Sequence, residues 1–150
     1  IRMAQSMELP GSIRDAVFEA QTSEMMLLIT QATGSGQTTA PSSTSVLVGR
    51  AVAYLQVHYQ DSTLTTVKLA QELYASREHL SRAFKECTME SIHSYLTHLR
   101  MQHCRKALEE GAPVLSACTE SGFPDYSSFL KTFRHLYGIT PAEYRTQHRR

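Results

Sequence analysis

The sequence lacks long hydrophobic runs, and no apolar stretch exceeds the five residues of Met25–Ile29. A helix that crosses a bilayer needs about 20 consecutive apolar residues, so the sequence predicts no transmembrane segment. Cysteine is also scarce, since Cys87, Cys104 and Cys118 are the only three and form no C-x-x-C pair. We interpret them as small residues on packed helix faces in a reducing compartment, and expect neither a disulfide framework nor a zinc site.

Patterns that carry catalysis or bind metals are missing as well. The seven histidines include no H-E-x-x-H motif, and His93, His98 and His103 are spaced five residues apart. On a helix that spacing rotates each side chain by about 140° from the one before, so the three cannot share a metal ion. The sequence also shows no phosphate-binding glycine loop, no Ser/His/Asp order and no carboxylate pair. It therefore predicts neither an enzyme nor a bound metal or cofactor.

A strong excess of either charge is absent, because the formal net charge is only +1. The charge is unevenly distributed: residues 1–45 hold two basic and four acidic side chains, whereas residues 46–150 hold thirteen and ten. The small basic excess of the C-terminal part favours an acidic partner such as nucleic acid, but only weakly.

Residues 33–45, TGSGQTTAPSSTS, contain no charged side chain and consist almost entirely of small polar residues, glycine and proline. Such a segment buries little apolar surface and is typical of a flexible linker. We therefore divide the chain into residues 1–32, the linker 33–45 and a domain at 46–150. Because the chain begins with Ile1, we interpret it as a piece of a longer protein.

Residues 12–32 show a broken apolar stripe that predicts one helix with a cap at Ser12 or Asp15. We expect residues 1–32 to be the C-terminal remnant of an upstream effector-binding or dimerisation module. The helix would then pack on that module or on another subunit. A leftover segment without stable order is the alternative.

The sequence after the linker shows a nearly continuous helical period and no convincing alternation with a period of two, so we predict an all-α domain of about seven helices. Hydroxyl side chains typical of helix N-caps mark three of the starts, at Thr65, Ser76 and Ser91. The last helix opens with Thr140-Pro-Ala-Glu143, which combines a capping box with proline at the first helical position. Gly138 marks the end of the helix before it.

The most informative pattern is an internal repeat with an offset of 49 residues. This shift places the cation Arg82 on Lys131 and the aromatic Phe84 on Phe133. Two copies are too few for a solenoid, which needs about three or more units. They indicate a duplicated supersecondary unit.

Each copy has the pattern of a helix-turn-helix, in which two helices meet at a steep angle around a short turn. Ala70 and Cys118 supply small residues where the helices approach. The turns lie at Tyr74-Ala75 and at Gly122, where glycine permits the positive φ that such a turn usually requires. We therefore predict two tandem helix-turn-helix subdomains joined by a long helix at about residues 91–110.

The second helix of each copy, at about residues 76–87 and 125–137, turns polar side chains outward when its apolar anchors face the core. These outward residues are Arg77, Glu78, Ser81, Arg82 and Lys85 in the first copy, and Tyr126, Ser128, Lys131 and Arg134 in the second. A helix fits the major groove of B-DNA, which is about 12 Å wide, and cations there reach guanine. The joining helix would span about 30 Å, close to the roughly 34 Å of one DNA turn. We therefore predict insertion into successive major grooves and an asymmetric site of roughly 15–20 base pairs.

These residues resemble the DNA-binding domain of AraC/XylS-type transcriptional regulators. The resemblance extends from Val46 to Arg149 and is most specific at residues 122–145, GFPDYSSFLKTFRHLYGITPAEYR. The segment SREHLSRAFK, at residues 76–85, is similar to the family's first recognition helix. Tyr74 departs from the glycine that is common in the first turn, and Met89 replaces the glycine that matches Gly138.

The resemblance implies a bacterial-type cytoplasmic regulator that binds double-stranded promoter DNA in a sequence-specific way. It further implies activation of transcription, often with DNA bending, and RNA polymerase as a second partner. A homodimer would form through the upstream module, and no membrane partner is expected.

The outward residues differ in their predicted roles. Arg82 and Lys131 are the best candidates for base contacts. Glu78 accepts a hydrogen bond from cytosine N4, caps its helix, or pairs with Arg82 four residues later. Lys85 and Arg134 are either phosphate contacts or surface charges.

Two other functions remain open at the level of the sequence. The same outward faces are compatible with a helical domain that binds another protein. An enzyme or a redox sensor would instead use Cys87, Cys104 or Cys118.

Overall fold

The computed structural model describes residues 42–148, and within this range the chain forms seven α-helices and no strand. The helices are α1 (Ser43–His58), α2 (Thr66–Glu72), α3 (Arg77–Thr88), α4 (Ile92–Glu109), α5 (Val114–Glu120), α6 (Tyr126–Tyr137) and α7 (Pro141–His148). The predicted all-α class is confirmed. None of these helices has the length and apolar character that a membrane crossing would need.

The start of α1 lies further upstream than the apolar pattern suggested. Ser42 Oγ accepts a hydrogen bond from the Ser45 N–H at 3.2 Å and so caps the helix. As a result, residues 43–45, which we had assigned to the linker, form the first turn of α1. Residues 33–41 of the predicted linker and the predicted helix at 12–32 lie outside the described residues.

The other caps form where the sequence predicts them. Thr65 and Ser76 each accept a hydrogen bond at 3.2 Å from the N–H three residues later. Ser91 Oγ accepts one from Ser94 at 3.1 Å. At the start of α7 the Thr140 N–H donates to Glu143 Oε2 at 2.8 Å while Thr140 Oγ1 accepts from the Glu143 N–H at 3.3 Å, which completes the capping box.

The described residues divide into two compact units, the first ending at Leu99 and the second beginning at Arg100, so that α4 contributes to both. In the first unit α3 packs on α1 and α2. Its core includes the fully buried Leu55, Leu80 and Phe84. The Phe84 ring meets the Tyr95 ring edge-on, with centroids 5.5 Å apart. Burial raises the pKa of Tyr95 to about 12.

In the second unit α5, α6 and α7 pack against one another. The core contains Phe129 and Phe133 of α6 together with Cys104 of α4, all fully buried. The Tyr144 hydroxyl of α7 donates to Glu109 Oε1 at the end of α4, at 2.7 Å. Each unit therefore buries the aromatic anchor of its second helix-turn-helix helix, and this burial fixes which face of that helix remains outside.

The assignment of all three cysteines to packed faces was wrong for one of them. Cys104 and Cys118 are buried, but Cys87 is exposed. Cys87 continues the spacing of Leu80 and Phe84, yet it lies in the last turn of α3, where the neighbouring Lys85 and Glu86 are also exposed. The buried face of this helix ends at Phe84.

Candidate nucleic-acid interface

Helix α3 presents a face that mixes basic and acidic side chains. The fully buried Leu80 fixes its rotation, and each residue turns the helix by about 100°. Glu78 and Arg82 lie two residues before and after Leu80, so both project opposite the core, and both are exposed.

The remaining predicted residues of α3 lie to either side of Glu78 and Arg82, which form the centre of the outer face. Lys85 and Arg77 are exposed, whereas Ser81 is only half-exposed. Its position explains this, because Ser81 adjoins Leu80 along the helix and is rotated about 100° from Arg82 towards the packed side. The exposed His79 also lies near the outer face, although the sequence analysis did not select it.

Helix α6 is built in the same way around Phe129, which is fully buried. Lys131 and Ser127 lie two residues to either side and are exposed. Ser128 is also exposed, and Tyr126 is 40% exposed while its ring rests 5.9 Å from that of Phe129. All four predicted side chains of α6, including Arg134, are therefore exposed, but Tyr126 lies nearer to the packed side than Lys131 does.

The sequence analysis missed Ser127. The 49-residue offset places it on Glu78, and the structure puts both at the centre of an outer face. The same offset that paired Arg82 with Lys131 would have identified Ser127. His135, which falls on Glu86, is exposed and was missed in the same way.

The five cations of these faces are available to a ligand. They are Arg77, Arg82, Lys85, Lys131 and Arg134. Among the residues that the structure describes, none of their side chains takes part in an ion pair or a hydrogen bond. Lys68 of α2 provides the contrast, because its Nζ lies 2.7 Å from Asp61 Oδ2. The cations of the outer faces would therefore bind an anion without first breaking an internal pair.

Of the three interpretations of Glu78, the ion pair with Arg82 is absent. Both residues are described, and neither an ion pair nor a hydrogen bond joins them. The Glu78 carboxylate also does not cap α3, because Ser76 Oγ occupies that role by accepting from the His79 N–H.

Helix α6 differs from α3 in the charge of its cap. Asp125 Oδ2 accepts a hydrogen bond from the Ser128 N–H at 2.7 Å. Hydrogen bonds from Ser128 hold the pKa of this carboxyl below its ordinary value, and the nearby charge of Lys131 adds to the effect. Asp125 places a negative charge at the N-terminus of α6, whereas the corresponding cap of α3 is the neutral Ser76.

The end of α6 carries a second electrostatic contact. Hydrogen bonds from Thr140 lower the pKa of Glu143, and the charge of Arg134 lowers it further. No acidic residue takes this place in the first copy, where the offset of 49 leads from Glu143 to Ser94. Arg134 therefore acts on an acidic residue that has no acidic counterpart at the matching position of the first copy.

The turn of the first copy has an uncommon backbone conformation. The Tyr74 N–H donates to the Gln71 carbonyl at 3.1 Å, and the Ala75 N–H donates to the Ala70 carbonyl at 3.0 Å. This pair of bonds is the Schellman motif, which needs a left-handed residue after the helix. Tyr74 adopts it with φ 53°, so the predicted positive φ is confirmed at a tyrosine.

The turn of the second copy closes with the same two bonds. The Gly122 N–H donates to the Thr119 carbonyl at 3.0 Å, and the Phe123 N–H donates to the Cys118 carbonyl at 3.3 Å. Gly122 has φ 82°. Tyr74 and Gly122 are 48 residues apart, not 49, because the second turn holds one residue more before its recognition helix begins.

The described residues contain no group of three or more His, Cys, Asp or Glu side chains that could hold a metal ion. The two outer faces present exposed charged and hydrogen-bonding side chains. Exposed guanidinium and ammonium groups on a helix are the groups that contact phosphates and guanine in DNA complexes.

Comparisons with known proteins agree with this geometry. A family model described as "Helix-turn-helix domain" matches residues 69–147. The C-terminal domain of AraT, a response regulator from Geobacillus stearothermophilus, aligns with a TM-score of 0.68 at 29% identity and covers 73% of this chain and 91% of that domain.

Two curated relatives are regulators by name. The regulatory protein ada of Salmonella typhimurium is 33% identical over 86 residues, which are 57% of this chain and 24% of that protein. The Msm operon regulatory protein of Streptococcus mutans is 29% identical over 107 residues, which are 71% of this chain and 38% of that protein. The chain thus spans well under half the length of either relative.

Proposed function

Because the chain belongs to the AraC-type helix-turn-helix family of transcriptional regulators, we propose that it binds double-stranded promoter DNA through α3 and α6. The observation that carries the proposal is the matched construction of these two recognition helices. In each helix, a fully buried anchor lies on the side opposite an exposed cation that has no ion pair within the described residues. This cation is Arg82 in α3 and Lys131 in α6. The function is regulatory, not enzymatic.

The two cations supply base contacts, while the surrounding residues fix the helices on the DNA backbone. Arginine and lysine donate to guanine O6 and N7 in the major groove. Lys85 and Arg77 on α3, and Arg134 with the hydroxyls of Tyr126 and Ser128 on α6, contact phosphates or neighbouring bases. The half-exposed Ser81 contributes at most a peripheral contact.

The recognition helices enter successive major grooves. Helix α4 has 18 residues, so its length is about 27 Å at 1.5 Å per residue, of the same order as the roughly 34 Å repeat of B-DNA. The site would be asymmetric and about 15–20 base pairs long, and binding would weaken steeply with salt because phosphate contacts release counterions.

The remaining properties concern the whole protein. Residues 1–32 belong to an upstream effector-binding or dimerisation module, joined to the DNA-binding domain by a linker. The protein acts in the cytoplasm as an activator that contacts RNA polymerase, and it dimerises through the upstream module. These proposals follow from membership of the family.

A paired variant tests the proposed interface. Arg82→Ala with Lys131→Ala removes both base contacts, and at about 1–3 kcal/mol each the loss weakens binding to a selected site by roughly 30-fold or more. Random-site selection with the wild-type chain supplies the DNA, and a mobility-shift titration measures the affinity.

Arg50→Ala with Lys106→Ala is the matched control, because it also removes two exposed cations, one from each unit. We expect this control to lose much less affinity, and both variants to keep the wild-type helicity and melting temperature. Equal losses in the two pairs would contradict base contact by α3 and α6. A wild-type chain that shifts no DNA at low salt would favour the protein-binding alternative instead.

A further inference from the structure

Helix α3 carries an acidic side chain near the centre of its outer face, and a second exposed acidic residue, Glu86, lies in its last turn. Glu78 lies opposite the buried Leu80, as Arg82 does, and its flanking outer residues Arg77 and Lys85 are basic. A carboxylate in this position repels DNA phosphates, so it lowers affinity unless it finds a hydrogen-bond donor. The chain keeps it unpaired although Arg82 lies within one helical turn.

The usual structural roles of such a residue are taken by others. Capping of α3 belongs to Ser76, whose Oγ accepts from the His79 N–H. No ion pair or hydrogen bond within the described residues holds the Glu78 carboxylate. The Glu78 carboxylate is therefore available to accept a hydrogen bond from a ligand bound at this face.

The second copy shows that an acidic residue is not a requirement of the fold at this position. Ser127 takes the place of Glu78 on α6 and is equally exposed. Helix α6 has its acidic residue at the cap instead, where Asp125 accepts a hydrogen bond from the Ser128 N–H. The free carboxylate is thus particular to α3.

We propose that Glu78 is a specificity-determining residue that selects a cytosine in the half of the site bound by α3. This inference rests on the proposed function, and it assigns a base to one side chain. The major groove offers two base donors, cytosine N4 and adenine N6, and adenine places the acceptor N7 beside its donor. A carboxylate only accepts, so it is repelled by N7 and favours cytosine.

Glu78 and Arg82 select two nearby positions together, about two base-pair steps apart. They are four residues apart and so about 6 Å along the helix, roughly the distance that separates base pairs two steps apart at 3.4 Å each. Arg82 donates to guanine while Glu78 accepts from cytosine. The carboxylate also disfavours guanine O6 and thymine O4, since both are acceptors.

Three variants in random-site selection test the assignment. The wild-type chain selects one position with cytosine in the α3 half of its site. Glu78→Ala loses that preference, by roughly 10- to 100-fold in discrimination, and keeps the other positions. Glu78→Gln changes the preferred base to adenine, because an amide both donates to N7 and accepts from N6. Ser127→Glu introduces a new cytosine preference in the α6 half.

Glu86→Gln is the control, because it removes the same charge from an exposed position in the last turn of α3. It should leave every base preference unchanged, since base contacts come from the first turns of a recognition helix. Identical selected sites for the wild type, Glu78→Ala and Glu78→Gln would overturn this inference and leave the proposed function standing. The same loss with Glu86→Gln would also overturn it. A wild-type chain that selects no site would overturn both.

Discussion

The two helix-turn-helix units share one backbone plan but place different residues where that backbone is left-handed. After α2 and after α3 the first unit has Tyr74 with φ 53° and Met89 with φ 64°. The second has Gly122 with φ 82° and Gly138 with φ 77° at the matching positions. A side chain in this region costs roughly 1–2 kcal/mol, and glycine costs almost nothing.

This difference shows what determines the left-handed backbone conformation of these turns. Met89 and Gly138 each donate to the carbonyl four residues back at 2.9 Å, and the bonds of the two helix-turn-helix turns also correspond. Helix-end hydrogen bonds and the burial of the anchors therefore impose the conformation, whether or not glycine is present. The first unit accepts strain that the second avoids.

The units also differ in aromatic packing, and this difference predicts the largest effect. Phe133 forms ring contacts with Phe129, Tyr137 and Tyr144 at centroid distances of 5.8, 4.6 and 5.6 Å. Each such contact contributes about 0.5–1.5 kcal/mol beyond burial. We expect Phe133→Leu to lower the free energy of unfolding by about 2–4 kcal/mol.

Phe84→Leu is the matched variant of the first unit. Phe84 is equally buried but has one ring contact among the described residues, with Tyr95. The loss should be about 1–2 kcal/mol, since only one contact disappears. Urea unfolding and amide exchange of each unit measure both changes. Equal losses would mean that the ring contacts add nothing beyond apolar burial.

Exchanging the residues at the left-handed positions is expected to have the next largest effect. A Cβ added at Gly138 meets nothing within 4 Å, so Gly138→Ala has only the conformational cost, about 1 kcal/mol. Met89→Gly should raise the free energy of unfolding by up to about 1 kcal/mol, because relief of the left-handed strain exceeds the added entropy of the unfolded chain. Tyr74, which is 95% exposed, should behave like Met89.

Glu86→Gly provides the control for these glycine substitutions. Glu86 is exposed and lies within α3, the helix whose C-cap is Met89, but it has a right-handed helical conformation. Glycine there should lower the free energy of unfolding by up to about 1 kcal/mol. If Met89→Gly also destabilises the protein, the methionine side chain contributes more than its backbone strain costs.

The caps of the two recognition helices predict a difference in pH dependence. The folded pKa of Asp125 lies below its ordinary value of 3.8, chiefly because of hydrogen bonds from Ser128. A lowered pKa stabilises the fold fully above pH 3.8, and the contribution is lost as the pH falls through the folded pKa. The neutral cap Ser76 contributes no such dependence.

Asp125→Ser gives α6 the kind of cap that α3 has. Its unfolding free energy should lie below that of the wild type by a constant amount above about pH 5, and the gap should narrow below pH 3.8. Chemical denaturation at a series of pH values from 7 to about 3 measures it. A gap that does not narrow in acid would show that the charge of Asp125 contributes nothing to the cap. The lowered pKa values of Glu143 and Asp61 affect both proteins alike.

Features that depend on local chemistry could be predicted from the sequence. Helix starts at Thr65, Ser76 and Thr140 follow from side chains that bond to N–H groups three residues away. The all-α class and the inward anchors followed from the helical period. The offset of 49 also identified Arg82 and Lys131 as equivalent, and the structure places both opposite a buried anchor.

Features that depend on the degree of packing could not be predicted in this way. Ser81 was grouped with the outward residues but is half-exposed, and Cys87 was assigned to a packed face but is exposed. A periodic pattern gives the direction of a side chain, whereas its exposure depends on how far the neighbouring helices extend. Base contacts remain proposals, because they require a DNA partner whose sequence this chain does not encode.

The cysteines give the smallest expected effect on stability and the clearest contrast in reactivity. Burial raises the pKa of Cys104 to about 12 and also raises that of Cys118, so few of these thiols are thiolate at neutral pH. Because the thiolate is the reacting species, a thiol reagent should modify the exposed Cys87 quickly and the two buried residues only as the second unit opens. Under native conditions one of the three thiols should therefore react in a fast phase, which Cys87→Ser removes.

Modification at Cys87 should leave the melting temperature and promoter binding unchanged, because its side chain lies outside both the core and the central outer face of α3. If modification abolishes DNA binding of the wild type but not of Cys87→Ser, the result would instead support a redox sensor at this position. Equal reactivity of all three thiols would show that the second unit opens far more readily than its aromatic core implies.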